Sequence, residues 1–227
     1  MEMVKDTASW TGMVNEHGIY HLARIKADVK TKGLAPPFEA QQAALEKKGQ
    51  LFIEAGRAKA TLEAELARAD LDMDNLIRDL YFSKLAQCKN NKRDATFLRW
   101  FPEGLSAIIR DGYAGEIGRV TALAAVLEET PDDPLAGKYL PQIKAQLGTY
   151  TKTLTAFQAS LTVAANAWAL LEAEKVNWLA AYRKNYADIL SAFGGDKRTA
   201  DSFFKKAAKA KAKKDNGNGT PAVGAAS

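Results

Sequence analysis

The chain has 227 residues and 47% hydrophobic content, enough to bury a core, and its single cysteine and two histidines are too few for an internal disulfide or a thiolate and imidazole metal cage. Its formal net charge of +5 comes from one end, where Lys205, Lys206, Lys209, Lys211, Lys213 and Lys214 stand against Asp215. The remaining 26 basic and 26 acidic residues cancel, so the body has no overall preference for polyanions.

The pattern along the chain predicts helix as its only regular structure, because the runs between prolines and glycines are rich in Ala, Leu, Glu, Lys and Gln and lack strand-like alternation. A first helix is expected over residues 3–31, with Val14, Gly18, Leu22, Ile25 and Val29 on its apolar stripe. Gly33, Pro36 and Pro37 end it, and a long helix is expected over 37–88, with Leu62, Leu66, Ala69, Met73, Leu76 and Leu80 as its seam. Asn90 and Asn91 mark the next turn. A helix over 94–129 with a break or kink near Pro102 carries Tyr113, Ile117, Val120, Ala124 and Leu127.

Pro131, Pro134 and Pro141 introduce a second long helix over 138–193, closed by Gly194 and Gly195. Its Leu147, Tyr150, Leu154, Phe157, Leu161, Ala164, Trp168, Leu171, Lys175, Trp178 and Tyr182 recur three and four apart, a heptad interrupted at Lys175. The aromatic residues Trp168, Trp178, Tyr182 and Tyr186 are expected in the core. Helices of this size run to about 75 Å and bury such stripes in antiparallel hairpins or a four-helix bundle. Residues 205–227 form a basic tail, helical at first and expected to be disordered from Asp215.

A shift of 105 aligns residues 36–98 with 141–203 without a gap and gives 14 identities in 63 positions, against about five from composition alone. They include Pro36/Pro141, Gln41/Gln146, Phe52/Phe157, Leu66/Leu171, Arg78/Arg183, Tyr81/Tyr186, Lys92/Lys197 and Arg93/Arg198. At a shift of 100, Gly12, Glu16 and Gly18 match Gly112, Glu116 and Gly118. The chain therefore reads as two tandem helical-hairpin repeats, 1–99 and 100–204, followed by the tail 205–227.

The repeated residues hardest to explain as heptad filling are Arg78, Tyr81, Lys92 and Arg93 with their counterparts Arg183, Tyr186, Lys197 and Arg198. Arginine and tyrosine three apart share a helical face, so each repeat presents a candidate surface for a carboxylate, a phosphate or an acidic partner segment. The competing reading is that these side chains tie the long helix to its neighbour and cap its end. The six tail lysines are a candidate polyanion site of the weak, salt-sensitive kind, since lysine meets phosphate as a point charge. Phe203 and Phe204 beside them suggest adsorption to an anionic membrane.

No established chemistry emerges. His17 and His21 have the spacing of two metal ligands but no third partner, and Cys88 reads as a small, half-buried filler. Asp70, Asp72 and Asp74 open like a calcium loop, yet Asn75 and Tyr81 stand where glycine and glutamate are required. GxxxxGK[ST], GxGxxG, CxxC and GxSxG motifs are absent, as are the ExxH pairs of di-iron bundles. No metal, cofactor or small-molecule substrate is inferred. The N-terminal MEMVKDTASW has charges where a signal peptide is apolar, and no stretch approaches the roughly 18 to 20 uncharged apolar residues a membrane span requires, which predicts a cytoplasmic protein. The expected function is non-enzymatic: a structural or scaffolding protein acting through self-association or a protein partner. The alternatives are a nucleic-acid accessory protein binding through its tail and a membrane-active helical protein.

Overall fold

Capping residues and prolines set where the helices begin in the computed structural model, which describes residues 4–205. Ser9 Oγ accepts from Gly12 N at 3.1 Å and starts α1 (Trp10–Gly12), which continues through a π-helical stretch, Met13–Gly18, into α2 (Ile19–Ala27). The helix expected from residue 3 therefore starts seven residues later. A short 3-10 turn, Lys32–Leu34, leads into α3 (Ala35–Gln87), whose first turn holds Pro36 and Pro37, where no backbone donor is needed. Next come α4 (Ala95–Trp100), α5 (Ser106–Ile109) and α6 (Tyr113–Glu128). The kink expected near Pro102 is thus a full interruption holding only the single turn of α5. Then α7 (Pro134–Ala192) and α8 (Lys197–Ser202) complete the order, and no strand occurs among the described residues.

Pro134 opens α7, and Asp133 Oδ1 accepts from Leu135 N at 2.9 Å beside it. Pro141, expected as a boundary, lies inside this helix instead. Its missing donor removes one bond of the helix ladder, at a place where Pro141 and Gly137 are both exposed. The protein is all-α, and its two long helices pack against each other with antiparallel register. Gln42 meets Trp178, Phe52 meets Trp168, Asp70 meets Tyr150 and Ser83 meets Tyr139, so each advance along α3 is matched by a nearly equal retreat along α7.

The chain divides into two units, Met1–Ala43 with Val176–Ser227 and Ala44–Lys175, so α3 and α7 each pass from one unit into the other. In the first unit, α2 covers the beginning of α3 and the end of α7. Met13, Val14, Ile25, Phe38, Trp178 and Tyr182 are buried there, with Trp178 and Tyr182 stacked at 4.8 Å. Phe203 and Phe204 are buried in the same core, not presented to a membrane: Phe204 stacks on His21 at 4.4 Å.

In the second unit, α6 lies against α3 and α7. Leu66, Met73, Ile77 and Leu80 pack with Phe97, Trp100, Val120, Leu123, Leu127, Ile143 and Tyr150 in one core. Lys84 is buried at its edge, with Nζ 2.6 Å from Asp133 Oδ2 and 4.2 Å from the centre of the Trp100 ring. Cys88 is buried as well, more deeply than expected. With 16 residues, α6 is too short to follow both long helices through this unit. Along residues 151–170 of α7 only Ser160 is buried, and Trp168, expected in the core, is 51% exposed.

Candidate functional site

The residues singled out from the repeat do not assemble into one cationic surface. Arg78 bonds Asp74 one turn back at 2.8 Å, and Tyr81 is buried against Phe97 and Phe101 with ring centres 5.2 and 5.0 Å away. Lys92 and Arg93 are exposed in the turn after α3. In the other unit, Arg183 pairs with Asp6 at 2.8 Å, Tyr186 donates to Asp201 at 3.1 Å, and Lys197 and Arg198 lie exposed in α8. Of the tail lysines, Lys205 is paired with Glu16 at 3.0 Å, while Lys206, Lys209, Lys211, Lys213 and Lys214 lie outside the described residues.

His21 is a buried structural residue. Its Nδ1 is 3.1 Å from the Phe203 carbonyl and its Nε2 is 3.0 Å from Asn185 Nδ2. The neutral tautomer with hydrogen on Nδ1 satisfies both contacts and leaves no lone pair for a metal. Burial holds the imidazole pKa down to about 4, against a smaller upward pull from the Phe203 bond. No group of three or more metal-ligating side chains is found among the described residues.

A buried acidic cluster in the second unit joins three helices. Tyr150 of α7 donates to Asp70 of α3 at 2.6 Å and also lies 3.2 Å from Glu116 of α6, a residue 1% exposed. Burial, followed by the neighbouring carboxylates of Asp70 and Asp74, pushes the Glu116 carboxyl up to about 8. Glu116 Oε1 is buried without a hydrogen-bond partner among the described residues, and the raised pKa keeps the group protonated at neutral pH. Burial also holds the Tyr150 hydroxyl far above its ordinary range, so it remains a donor. The sequence contained a signal for this cluster: Glu116, Val120, Leu123 and Leu127 recur at spacings of four, three and four, placing an acid on a buried stripe.

The surface most open to a partner lies where α3 and α7 have no third helix. Leu51 is 41% exposed, Leu161 42%, Val163 58% and Leu170 50%. Lys48, Leu51, Ala55, Val163, Asn166, Ala167 and Leu170 line a shallow depression of about 270 Å³ between the helices. Residues 153–171 carry no charged side chain. By length and composition α7 can cross a membrane, and only 6% of its most apolar window is buried. Gln158, Asn166, the threonines and Ser160 interrupt the apolar residues and conceal the run from a search for continuous hydrophobicity, whereas a count of charges reveals it.

Comparison with known proteins finds no matching family model, no matching curated protein and no matching solved structure.

Proposed function

We propose that this chain is a structural or scaffolding protein that works, without catalysis, through helix-mediated self-association or by binding a protein partner. The observation that carries this reading is the charge-free, largely exposed length of α7 beside the half-covered residues of α3. Exposed aliphatic side chains grouped on one surface, unlike single scattered ones, mark an interaction site. The seam residues Leu161 and Trp168 support the same reading, since their heptad spacing suits a helical neighbour.

The architecture we propose is a duplicated hairpin, 1–99 and 100–204. Both long helices close on the same turn at the alignment shift of 105. Lys89 and Asn90 have φ of 53° and 61°, Gly194 and Gly195 have 62° and 87°, and the second of each pair donates back to Leu85 or Leu190. An aspartate caps the following short helix in each case, Asp94 for α4 and Asp196 for α8, at a spacing of 102, three short of the alignment shift. The correspondence weakens in the short helices: Glu16 lies at the surface, while its counterpart Glu116 is buried.

Light scattering of the full chain over a concentration series tests self-association. A mass of one chain up to about 100 μM, where contacts worth about 5 to 6 kcal/mol register, counts against it. A second reading, contact with lipid, is favoured by the membrane-like length and composition of α7. Flotation with anionic and zwitterionic vesicles is its direct test. The nucleic-acid reading rests on the tail, and loss of low-salt DNA retention on deletion after Phe204 is the result it requires.

A further inference from the structure

Lys152, Ala156, Ala159, Val163, Asn166, Leu170 and Glu174 follow one another along α7 at steps of four and three, so they form a line of their own, separate from the heptad seam. Val163 and Leu170 on this line are among the most exposed aliphatic residues of the protein, and both line the depression shared with Leu51 and Ala55. The charged residues that bound the line have opposite signs, lysine at one end and glutamate at the other. A helix with this arrangement is complementary to itself when reversed.

We infer that this face binds a second copy of the chain, with the two α7 helices antiparallel and crossing at Val163. This inference rests on the self-association reading above and specifies its surface and symmetry. A two-fold axis at Val163 sets Ala156 against Leu170 of the second copy, Ala159 against its Ala167, and Lys152 against its Glu174. The alanines let the helices approach closely, and the leucine enters the space they leave. Leu51 and Ala55 of α3 flank the contact, and Lys48 stays at its hydrated rim. Asn166 is the one uncharged polar residue on the line, and such a residue specifies register at some cost in affinity.

The line from 152 to 174 is about 33 Å long. With a width of about 16 Å, the interface removes roughly 500 Å² per copy, or about 1,000 Å² in total, the low end for specific association. The dimer is therefore a weak one, formed over about 1 to 100 μM. A lipid bilayer suits the surface less well, because Gln158 and Asn166 would enter hydrocarbon and α3 carries Lys47, Lys48, Glu54, Arg57 and Lys59 alongside.

The test uses full-length protein. In sedimentation or light scattering the wild type should double in mass with concentration, and Val163→Lys should weaken this at least tenfold while leaving helicity by circular dichroism unchanged. Lys152→Glu should weaken association several-fold, and Glu174→Lys in the same chain should restore it. Under mild oxidation Val163→Cys should form a disulfide-linked dimer. Leu170→Cys should not, since its two copies lie about 21 Å apart in the antiparallel arrangement but adjacent in a parallel one. Wild type that stays monomeric overturns the self-association reading itself. A wild-type dimer unaffected by Val163→Lys, or cross-linked through Leu170→Cys, overturns this surface or its orientation while leaving that reading intact. Vesicle binding abolished by Val163→Lys, without any change in mass, assigns the face to lipid and also overturns the proposal.

Discussion

Gly18 leaves the space that Gln42 occupies: a Cβ on the glycine would lie 1.8 Å from Gln42 Oε1. That side chain cannot swing away cheaply, because it is buried and its Nε2 donates to the Val14 carbonyl at 3.1 Å while Oε1 accepts from Trp178 Nε1 at 3.3 Å. The π-helical stretch ends at this glycine, and the Val14 carbonyl also accepts from Ile19 N. Gly18→Ala should destabilise the protein by about 2 to 4 kcal/mol through the clash and the two bonds it breaks. Gln42→Ala should relieve part of that loss in the double variant. Denaturant melts of the four proteins check this, and additive effects would show that the two residues do not compete for the same space.

Glu116 should make the second unit lose stability as pH rises. Its folded pKa of about 8 lies above the ordinary 4.5, so between these values the folded state keeps a proton that the unfolded state releases. The contribution is complete below about 4.5 and is lost as pH rises through about 8. Its size is on the order of 2 to 4 kcal/mol. Glu116→Gln, which keeps the shape without the proton, should flatten this slope and be more stable than wild type at pH 8.5. Hydrogen exchange of α6 amides across the range is the measurement, and a wild-type slope that persists in the variant would assign the effect to another group.

His21 gives the first unit the opposite dependence. Its folded pKa is depressed to about 4 from 6.5, so its contribution is fully present above 6.5 and is lost as pH falls towards 4. Charging the ring removes the acceptor that Asn185 uses and places a cation among Phe38, Tyr182 and Phe204. Amides around α2 and α8 should exchange faster at pH 4.5 than at 7, by a factor corresponding to about 2 kcal/mol. Equal protection at the two values, after correction for intrinsic exchange, would remove His21 as the cause.

Periodicity made the long helices legible, because one stripe at a spacing of three and four specifies a helix whatever covers it. It did not specify how many neighbours that stripe would have. Trp168 and Trp178 both lie on the heptad seam, yet Trp178 is buried beside Phe38 and Tyr182 while Trp168 meets Phe52 and is 51% exposed. On α6, Val120, Ala124 and Leu127 of the expected stripe are buried and Ile117 packs against the core, but Tyr113 is exposed and the buried line begins at Glu116. An acid on an apolar stripe is easily assigned to the solvent side, since its burial depends on Asp70 and Tyr150, far away in sequence. Phe203 and Phe204 were read with the lysines next to them, although their partners, His21 and Phe193, come from elsewhere in the chain.

The last prediction concerns residues 1–99 expressed alone. In the first unit, His21 and Phe38 are covered by Trp178, Tyr182 and Phe204, and in the second, Met73, Ile77 and Leu80 share one core with Val120, Leu127 and Ile143. Every covering residue in both sets belongs to 100–204. The isolated segment therefore retains two apolar stripes and loses the partners of both, an exposure that intrinsic helix propensity does not offset in water. If the two halves descend from one hairpin, a second copy of 1–99 supplies approximately the missing surfaces, and the segment should be poorly helical when dilute and gain helicity as it dimerises. Circular dichroism over a concentration range, with mass measured on the same samples, gives the answer. A stable, fully helical monomer of 1–99 would show that the hairpin is self-sufficient and that the pairing with 100–204 is not what holds it.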